Sequence, residues 1–194
     1  LILDLKHGYG GGEGPVTSAE LRQTAPDTLA GGHITSAWGK DRHAYFTMQV
    51  SKKPERIVFY KDDAETPAPA AGADLTGKNL KAVLYFKTQA NEVIHVKTGI
   101  SGVSAENAQK NLTAEVPAWD FDKARRAAKL AWRRQLSKIQ IEPAHAPPQR
   151  PFYSALYHMS LGPTRFADVD GRYRGMDNEI HTLNPGHENY TTFS

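Results

Sequence analysis

Polar and aromatic residues suited to a binding site are concentrated between Asp168 and Gly175. These eight residues include two carboxylates, two guanidiniums, one phenol and two glycines. Carboxylates and guanidiniums hydrogen-bond neighbouring hydroxyl groups in pairs, and aromatic faces cover the apolar side of a sugar ring. The segment therefore predicts one wall of a sugar site. The candidate substrate-binding residues are Asp168, Asp170, Arg172, Tyr173 and Arg174. An internal salt-bridge network that only shapes the loop explains the same residues equally well.

The same segment does not match a calcium-binding EF-hand loop. Asp168, Asp170 and Glu179 fall at the first, third and twelfth positions of such a loop. Arg172 and Tyr173, however, stand at the fifth and sixth positions, where an oxygen ligand and a glycine are needed. The eight histidines of the chain show no metal-ligand spacing. No residue of the chain is therefore assigned as a metal ligand.

The elements that must position this segment change in type along the chain. Up to about residue 100, short runs rich in β-branched and aromatic residues alternate with clusters of Gly, Pro, Asp and Ser, a pattern typical of an antiparallel sandwich. No helix-length pattern separates the runs, which argues against βαβ units. Two segments break the pattern and are predicted to be loops, a glycine-rich one at 8–14 and a low-complexity one at 62–77. The predicted strands are 1–5, 43–50, 56–60, 80–86 and 93–100.

From residue 101 onward the hydrophobic period becomes helical. Ser104 is predicted to cap a short helix over 105–112, and Asp120 is predicted to cap a longer basic helix that reaches Lys138. An aromatic helix over 152–161 follows and ends at a Gly-Pro pair. Because acidic residues begin the basic helix and basic residues end it, the helix macrodipole explains much of its charge pattern without any partner. This favours a solvated linker helix over a membrane-surface or nucleic-acid-binding helix. Its apolar stripe is predicted to contain Phe121, Ala124, Ala128, Trp132 and Leu136.

Composition is ordinary for a globular protein, with 39% hydrophobic and 23% charged residues. The net charge of +3 is spread along the chain without a run of five like charges, which argues against a nucleic-acid partner. No apolar stretch reaches the roughly 18–20 residues that a membrane-spanning helix needs. Cysteine is absent, so disulfides and thiolate chemistry are excluded. The chain begins within a strand pattern and ends without a helix stop, so we expect it to be a piece of a longer protein.

Several separate stretches carry a resemblance to a known family. They include Trp119-Asp120-Phe121-Asp122 at the start of the basic helix and Tyr190-Thr191-Thr192-Phe193-Ser194 at the end of the chain. The complete set is 36–41, 43–46, 96–101 with 104, 107–108 and 111–112, then 119–122, 152–158, 168–175 and 190–194. In this order along the chain, these stretches resemble glycoside hydrolase family 92, the calcium-dependent exo-acting α-mannosidases.

The resemblance implies a multi-domain fold, β first and then α. We expect residues 1–115 to form part of an N-terminal β-sandwich, residues 116–148 a helical linker, and residues 149–194 the start of an (α/α)₆ catalytic barrel. The resemblance also implies that these residues pack against the rest of the same polypeptide, which would complete the barrel.

The resemblance also implies an activity, the removal of terminal α-mannose from mannose-containing glycans with inversion, α-1,2 being the expected linkage. Calcium is the implied cofactor. Inversion requires one protonated carboxyl and one carboxylate, and the family's acid, base and calcium ligands lie beyond its Tyr-Thr-x-Phe-Ser segment. No residue of this chain is therefore assigned as catalytic, and the chain alone is expected to be inactive. The substrate implies export to the bacterial periplasm or the extracellular space. The alternative is a carbohydrate-binding or scaffold β-sandwich module without catalysis.

Overall fold

The structure, a computed structural model, describes residues 1–6, 15–36, 40–70, 72–141 and 149–191. The predicted glycine-rich loop at 8–14 lies outside the described residues, as do parts of two resembling stretches, 37–39 and 192–194. The chain forms two compact units, one of Leu1–Pro117 with Asp168–Thr182 and one of Ala118–Ala167 with Leu183–Ser194. The three domain ranges expected from the sequence stay a prediction.

The first unit contains two large antiparallel sheets. One sheet has five strands in the order β7-β2-β3-β4-β9, and the other has four in the order β1-β8-β5-β6. The strands of these sheets are β1 (Ile2–Asp4), β2 (Val16–Ala25), β3 (Thr28–Thr35), β4 (Arg42–Val50), β5 (Arg56–Lys61), β6 (Ala64–Thr66), β7 (Leu75–Gly77), β8 (Leu80–Tyr85) and β9 (Val96–Ser101).

The two sheets share one hydrophobic core. Alternate residues of β4, Met48 and Val50, point into it together with side chains from the opposite sheet such as Phe59 and Leu80. Burying one such side chain stabilises the fold by about 1.5–3 kcal/mol relative to leaving it in water. The prediction of an antiparallel sandwich is confirmed, and so are the positions of the five predicted strands to within a few residues.

Two strands, β2 and β3, were not predicted from the sequence. Only Ala19 and Leu21 on the inward face of β2 are buried. The rest of the strand is mostly polar, so its sequence shows little apolar alternation. β3 contains Gly31 and Gly32, and glycine normally weakens a strand. A Cβ at Gly31 would overlap the backbone carbonyl of Glu20 on β2, so glycine is required by the close approach of the two strands.

The prediction for the low-complexity segment at 62–77 was also wrong in part. The segment was predicted to be a loop between strands, but it contains β6 and β7. Each is only three residues long and pairs at the edge of a sheet. Strands this short carry too little alternation to be recognised among the surrounding alanines and prolines.

Helix α1 (Ala105–Glu115) packs across β9 and β4, on the face of the five-stranded sheet that is turned away from the core. The Thr47 hydroxyl donates to the Ala105 carbonyl over 3.0 Å. A Cβ at Gly99 would overlap the Ala108 carbonyl oxygen, so the helix lies directly on the β9 backbone. Ser104 caps the helix as predicted, accepting a hydrogen bond from the Asn107 backbone N–H.

The second unit contains helices α2 (Phe121–Leu136) and α3 (Gln149–Met159) and the short strand pair of β10 (Thr164–Arg165) with β13 (Tyr190–Thr191). Asp120 caps α2 as predicted, accepting from the Lys123 backbone N–H over 2.8 Å. No residue of α2 is buried, although the Trp132 ring of its predicted stripe contacts the Tyr157 ring of α3 with a centroid distance of 4.5 Å. None of the helices in the described part of the chain is long and apolar enough to cross a membrane.

Candidate functional site

The loop predicted to bind a sugar leads into a hairpin of β11 (Arg172–Arg174) and β12 (Ile180–Thr182), which belongs to the first unit. We call residues 168–182 the docked hairpin. Its first turn is closed by hydrogen bonds from the Gly171 backbone N–H to the Asp168 carbonyl and from the Asp168 N–H to the Arg172 carbonyl. Gly171 has φ of +79°, a left-handed conformation that glycine adopts without steric cost. The turn therefore sets Asp168 at the base of the hairpin.

Asp168 is only 6% exposed, and its carboxylate is surrounded by donors. One oxygen, Oδ2, accepts from the Ser101 hydroxyl over 2.6 Å and from Asn107 Nδ2 over 2.8 Å. The other, Oδ1, accepts from Asn111 Nδ2 over 2.7 Å. These hydrogen bonds compensate the loss of water around a buried charge, which would otherwise cost several kcal/mol. They also connect the docked hairpin to β9 and α1.

The donors are placed by regular elements. Asn107 and Asn111 are four residues apart on α1 and therefore project from the same face of the helix. Ser101 is the last residue of β9. Asn111 also accepts from the Val169 backbone N–H over 2.9 Å and donates to the Ile100 carbonyl over 2.8 Å. A single amide thus binds both the hairpin and the strand.

Asp170 forms a second, more exposed part of the network, with a side chain that is 27% exposed. It accepts from Lys110 Nζ over 3.0 Å, from Arg172 Nε over 3.1 Å and from Asn107 Nδ2 over 3.1 Å. Desolvation by itself raises the pKa of Asp170, but the hydrogen bonds from Lys110 and Arg172 outweigh it and hold that pKa below its ordinary value. The Arg172 guanidinium also donates to the Asn107 side-chain oxygen.

Arg174 binds backbone carbonyls. Its Nε donates to the Gly102 carbonyl over 2.9 Å and its Nη1 to the Asn178 carbonyl over 2.7 Å. A longer bond of 3.4 Å joins Nη2 to the Val103 carbonyl. The guanidinium therefore links the hairpin's own turn to the segment between β9 and α1.

Tyr173 lies on the other side of β11, since side chains alternate along a strand. Its ring faces the His181 ring of β12, with centroids 5.6 Å apart. The five predicted residues are thus brought together in one hairpin, where four are held in the internal network and Tyr173 is turned away from it. A direct substrate-binding role for them stays a prediction.

Sequence reasoning missed the partners of the carboxylates, Ser101, Asn107 and Asn111. They lie 57 to 67 residues from Asp168 along the chain. One signal was present, because asparagine is a poor helix former and two of them on one helix face predict a specific polar contact.

Calcium, implied by the resemblance, does not fit this network. Calcium sites offer several free carboxylate or carbonyl oxygens to the ion, whereas the oxygens of Asp168 and Asp170 already accept from amide, hydroxyl and cationic donors. Among the described residues no group of three or more His, Asp or Glu side chains is placed to hold a metal ion. We therefore derive no step through calcium on this chain.

Two family models match the chain and together cover nearly all of it. Residues 1–101 match the glycosyl hydrolase family 92 N-terminal domain, and residues 107–194 match the glycosyl hydrolase family 92 catalytic domain.

The chain belongs to glycosyl hydrolase family 92.

Solved structures of the family share the fold. A family 92 α-mannosidase from Bacteroides thetaiotaomicron matches with a TM-score of 0.88 and 32% identity over 98% of this chain and 25% of its own length. An inverting family 92 mannosidase of the same bacterium matches with a TM-score of 0.78 at 24% identity, again over 98% of this chain and 25% of its own. The latter likeness shows the fold alone.

A curated relative, described as an uncharacterized secreted glycosidase of Arthroderma benhamiae, is 32% identical over 138 residues. The match covers 67% of this chain and 16% of that relative. This family 92 chain thus spans about a quarter of the length of the solved relatives and 16% of the length of the curated relative.

Replacing Asp168 by Asn tests the buried network. The variant keeps the size of the side chain but turns one acceptor into an NH₂ group that faces a donor. We expect the free energy of unfolding of the chain to fall by about 2 kcal/mol, because a buried donor is left unpaired. Urea unfolding measures the effect, and Glu179→Gln, an exposed change on the same hairpin, is the matched control. A direct substrate role without docking predicts normal stability for Asp168→Asn.

The lowered pKa of Asp170 predicts a pH dependence. A carboxyl whose pKa is lower in the native than in the unfolded protein stabilises the fold above its unfolded pKa of about 3.9. That contribution is lost as the pH falls through the native pKa. The stability difference between the wild type and Asp170→Asn should therefore shrink from about pH 6 to about pH 2.5. Urea unfolding at several pH values tests this, and a difference that stays constant over the range contradicts it.

Proposed function

We propose that the full-length protein is an exported α-mannosidase that removes terminal mannose from glycans with inversion. The observation that carries this proposal is the match to an α-mannosidase at 32% identity and a TM-score of 0.88 over 98% of the chain. Membership of glycosyl hydrolase family 92 supports the same chemistry, the hydrolysis of a glycosidic bond. Export to the periplasm or the extracellular space of a bacterium is proposed from the location of such glycans. The description of one relative as a secreted glycosidase supports export.

Inverting hydrolysis sets a requirement that Asp168 and Asp170 do not meet. One carboxyl must be protonated to act as the general acid, so its pKa must be raised, and a second carboxylate must activate a water. The pKa of Asp170 is lowered, and the oxygens of Asp168 are occupied by Ser101, Asn107 and Asn111. From the family resemblance we propose that the acid, the base and the calcium ligands lie in the remainder of the polypeptide.

The docked hairpin is proposed to support the mannose pocket of the complete enzyme. A pocket wall must be held rigidly, because small displacements of a binding group weaken transition-state contacts. The hydrogen bonds of Asp168 and Arg174 hold the hairpin on β9 and α1. Specificity for the α-1,2 linkage is proposed from the family resemblance.

The remainder of the same polypeptide is proposed as the partner of the second unit. No residue of α2 is buried. A helix with an apolar stripe gains stability when that stripe is covered. The chain spans a quarter of the solved family 92 mannosidases that it matches, and we propose that the part corresponding to the other three quarters covers this stripe.

Hydrolysis by the full-length protein tests the proposed function. The substrates are an aryl α-mannoside and a mannobiose, assayed with calcium present, and proton NMR identifies the first anomer released. We expect β-mannose from the full-length protein, since inversion reverses the anomeric configuration, and no turnover by residues 1–194 alone. A full-length protein that binds mannan without turnover would instead support a carbohydrate-binding module. Initial release of α-mannose would contradict inversion.

A further inference from the structure

The docked hairpin has a second face that its docking does not use. Arg172 and Arg174 point towards α1 and β9, as their hydrogen bonds show. Tyr173 lies between them on β11, and its cross-strand partner is His181. The two rings are tilted by 33° with centroids 5.6 Å apart, and the His181 side chain is 43% exposed. This face therefore carries the exposed His181 ring beside the half-buried Tyr173 ring.

The His181 ring is held in one orientation by Asp177. Its Nε2 lies 2.8 Å from Asp177 Oδ2 and 3.1 Å from Oδ1. Asp177 is fixed in turn by the Glu179 backbone N–H, which donates to Oδ1 over 3.0 Å. The hydrogen bond from that N–H makes the largest contribution to lowering the pKa of Asp177, and the hydrogen bond from His181 makes the next largest. Because a carboxylate only accepts, the proton of the neutral imidazole lies on Nε2.

The other ring nitrogen, Nδ1, is then a hydrogen-bond acceptor. Within the described part of the chain it forms no hydrogen bond, since both bonds of the His181 ring go through Nε2 to Asp177. A fixed acceptor beside a ring face is a combination that a sugar can use. One hydroxyl donates to the nitrogen while the C–H face of the sugar covers the aromatic ring.

Gly175 makes room for this arrangement. A Cβ at Gly175 would lie 2.5 Å from Asp177 Oδ1 and 2.8 and 2.9 Å from two atoms of the His181 ring. A side chain at this position would therefore require Asp177 and His181 to move. The contact between them therefore depends on the backbone of the hairpin as well as on the two side chains.

We propose that Tyr173 and His181 form a hexose-binding surface and that Asp177 is the positioning residue for His181. The sugar hydroxyl donates to His181 Nδ1, and the apolar face of the sugar ring packs on Tyr173. The choice of mannose as the hexose rests on the proposed function. The arrangement goes beyond the network around Asp168, because it lies on the opposite face of β11 and uses none of the docking hydrogen bonds.

Calorimetric titration of the full-length protein with free mannose tests this surface directly. His181→Phe keeps a ring beside Tyr173 but removes the acceptor nitrogen. We expect it to raise the Kd for mannose by about tenfold or more, a loss of about 1.4 kcal/mol, with an unchanged melting temperature. His187→Phe, the same change at another exposed histidine, is the matched control and should bind mannose like the wild type.

Two changes at Asp177 separate positioning from simple stability. Asp177→Asn retains an oxygen that can accept from Nε2, so its Kd should stay within about threefold of the wild type. Asp177→Ala releases the ring and should weaken binding to nearly the same extent as His181→Phe. A purely structural role for the pair predicts lower melting temperatures and equal mannose affinity in the folded variants.

The mannose-binding experiment and the hydrolysis assay test different claims, so either claim can fail alone. A wild type that binds mannose through His181 but hydrolyses no α-mannoside would overturn the proposed function and retain this surface. Equal Kd values for the wild type and His181→Phe would overturn the surface, whatever the hydrolysis assay shows. The surface is also overturned if the wild type binds neither mannose nor another hexose.

Discussion

The carboxylate of Asp168 is only 6% exposed, and a charge buried to that degree requires hydrogen-bond donors around it. The donors come from three places in the chain, the end of β9 and two successive turns of α1. Satisfying the charge therefore fixes where α1 lies on the sheet and where the docked hairpin lies on both. An asparagine or a leucine at this position could not bind all three donors. The buried charge thus specifies one arrangement of the three segments.

Because of this constraint, the two faces of the hairpin make different contacts. Arg172 and Arg174, which the sequence offered as sugar ligands, donate to Asn107 and to backbone carbonyls on the docked face. The outward face is left with Tyr173 and His181, whose orientation depends on a separate carboxylate. The proposed hexose-binding surface therefore consists of the outward pair and does not include the arginines. The docked face contributes rigidity.

Local patterns in the sequence predicted much of the fold. The alternation in β4 and the caps of α1 and α2 were found because each depends on neighbouring residues. β3 was missed because its glycines are required by a strand that is close in space but whose approach has no local signature. The candidate site divides in the same way. The 168–175 segment was recognised from its own composition. Ser101, Asn107 and Asn111 belong to a stretch that resembles the family, but they were given no role, because that role arises only when segments 57 to 67 residues apart meet.

A double-mutant cycle between Ser101 and Asp168 tests most directly whether the buried carboxylate holds these segments together. The cycle compares Ser101→Ala, Asp168→Asn and the double variant by urea unfolding of the chain. The 2.6 Å hydrogen bond from the Ser101 hydroxyl to Asp168 Oδ2 predicts a coupling energy of about 1 kcal/mol or more. Additive effects, with a coupling below about 0.3 kcal/mol, would show that the two groups do not interact in solution and would contradict the account.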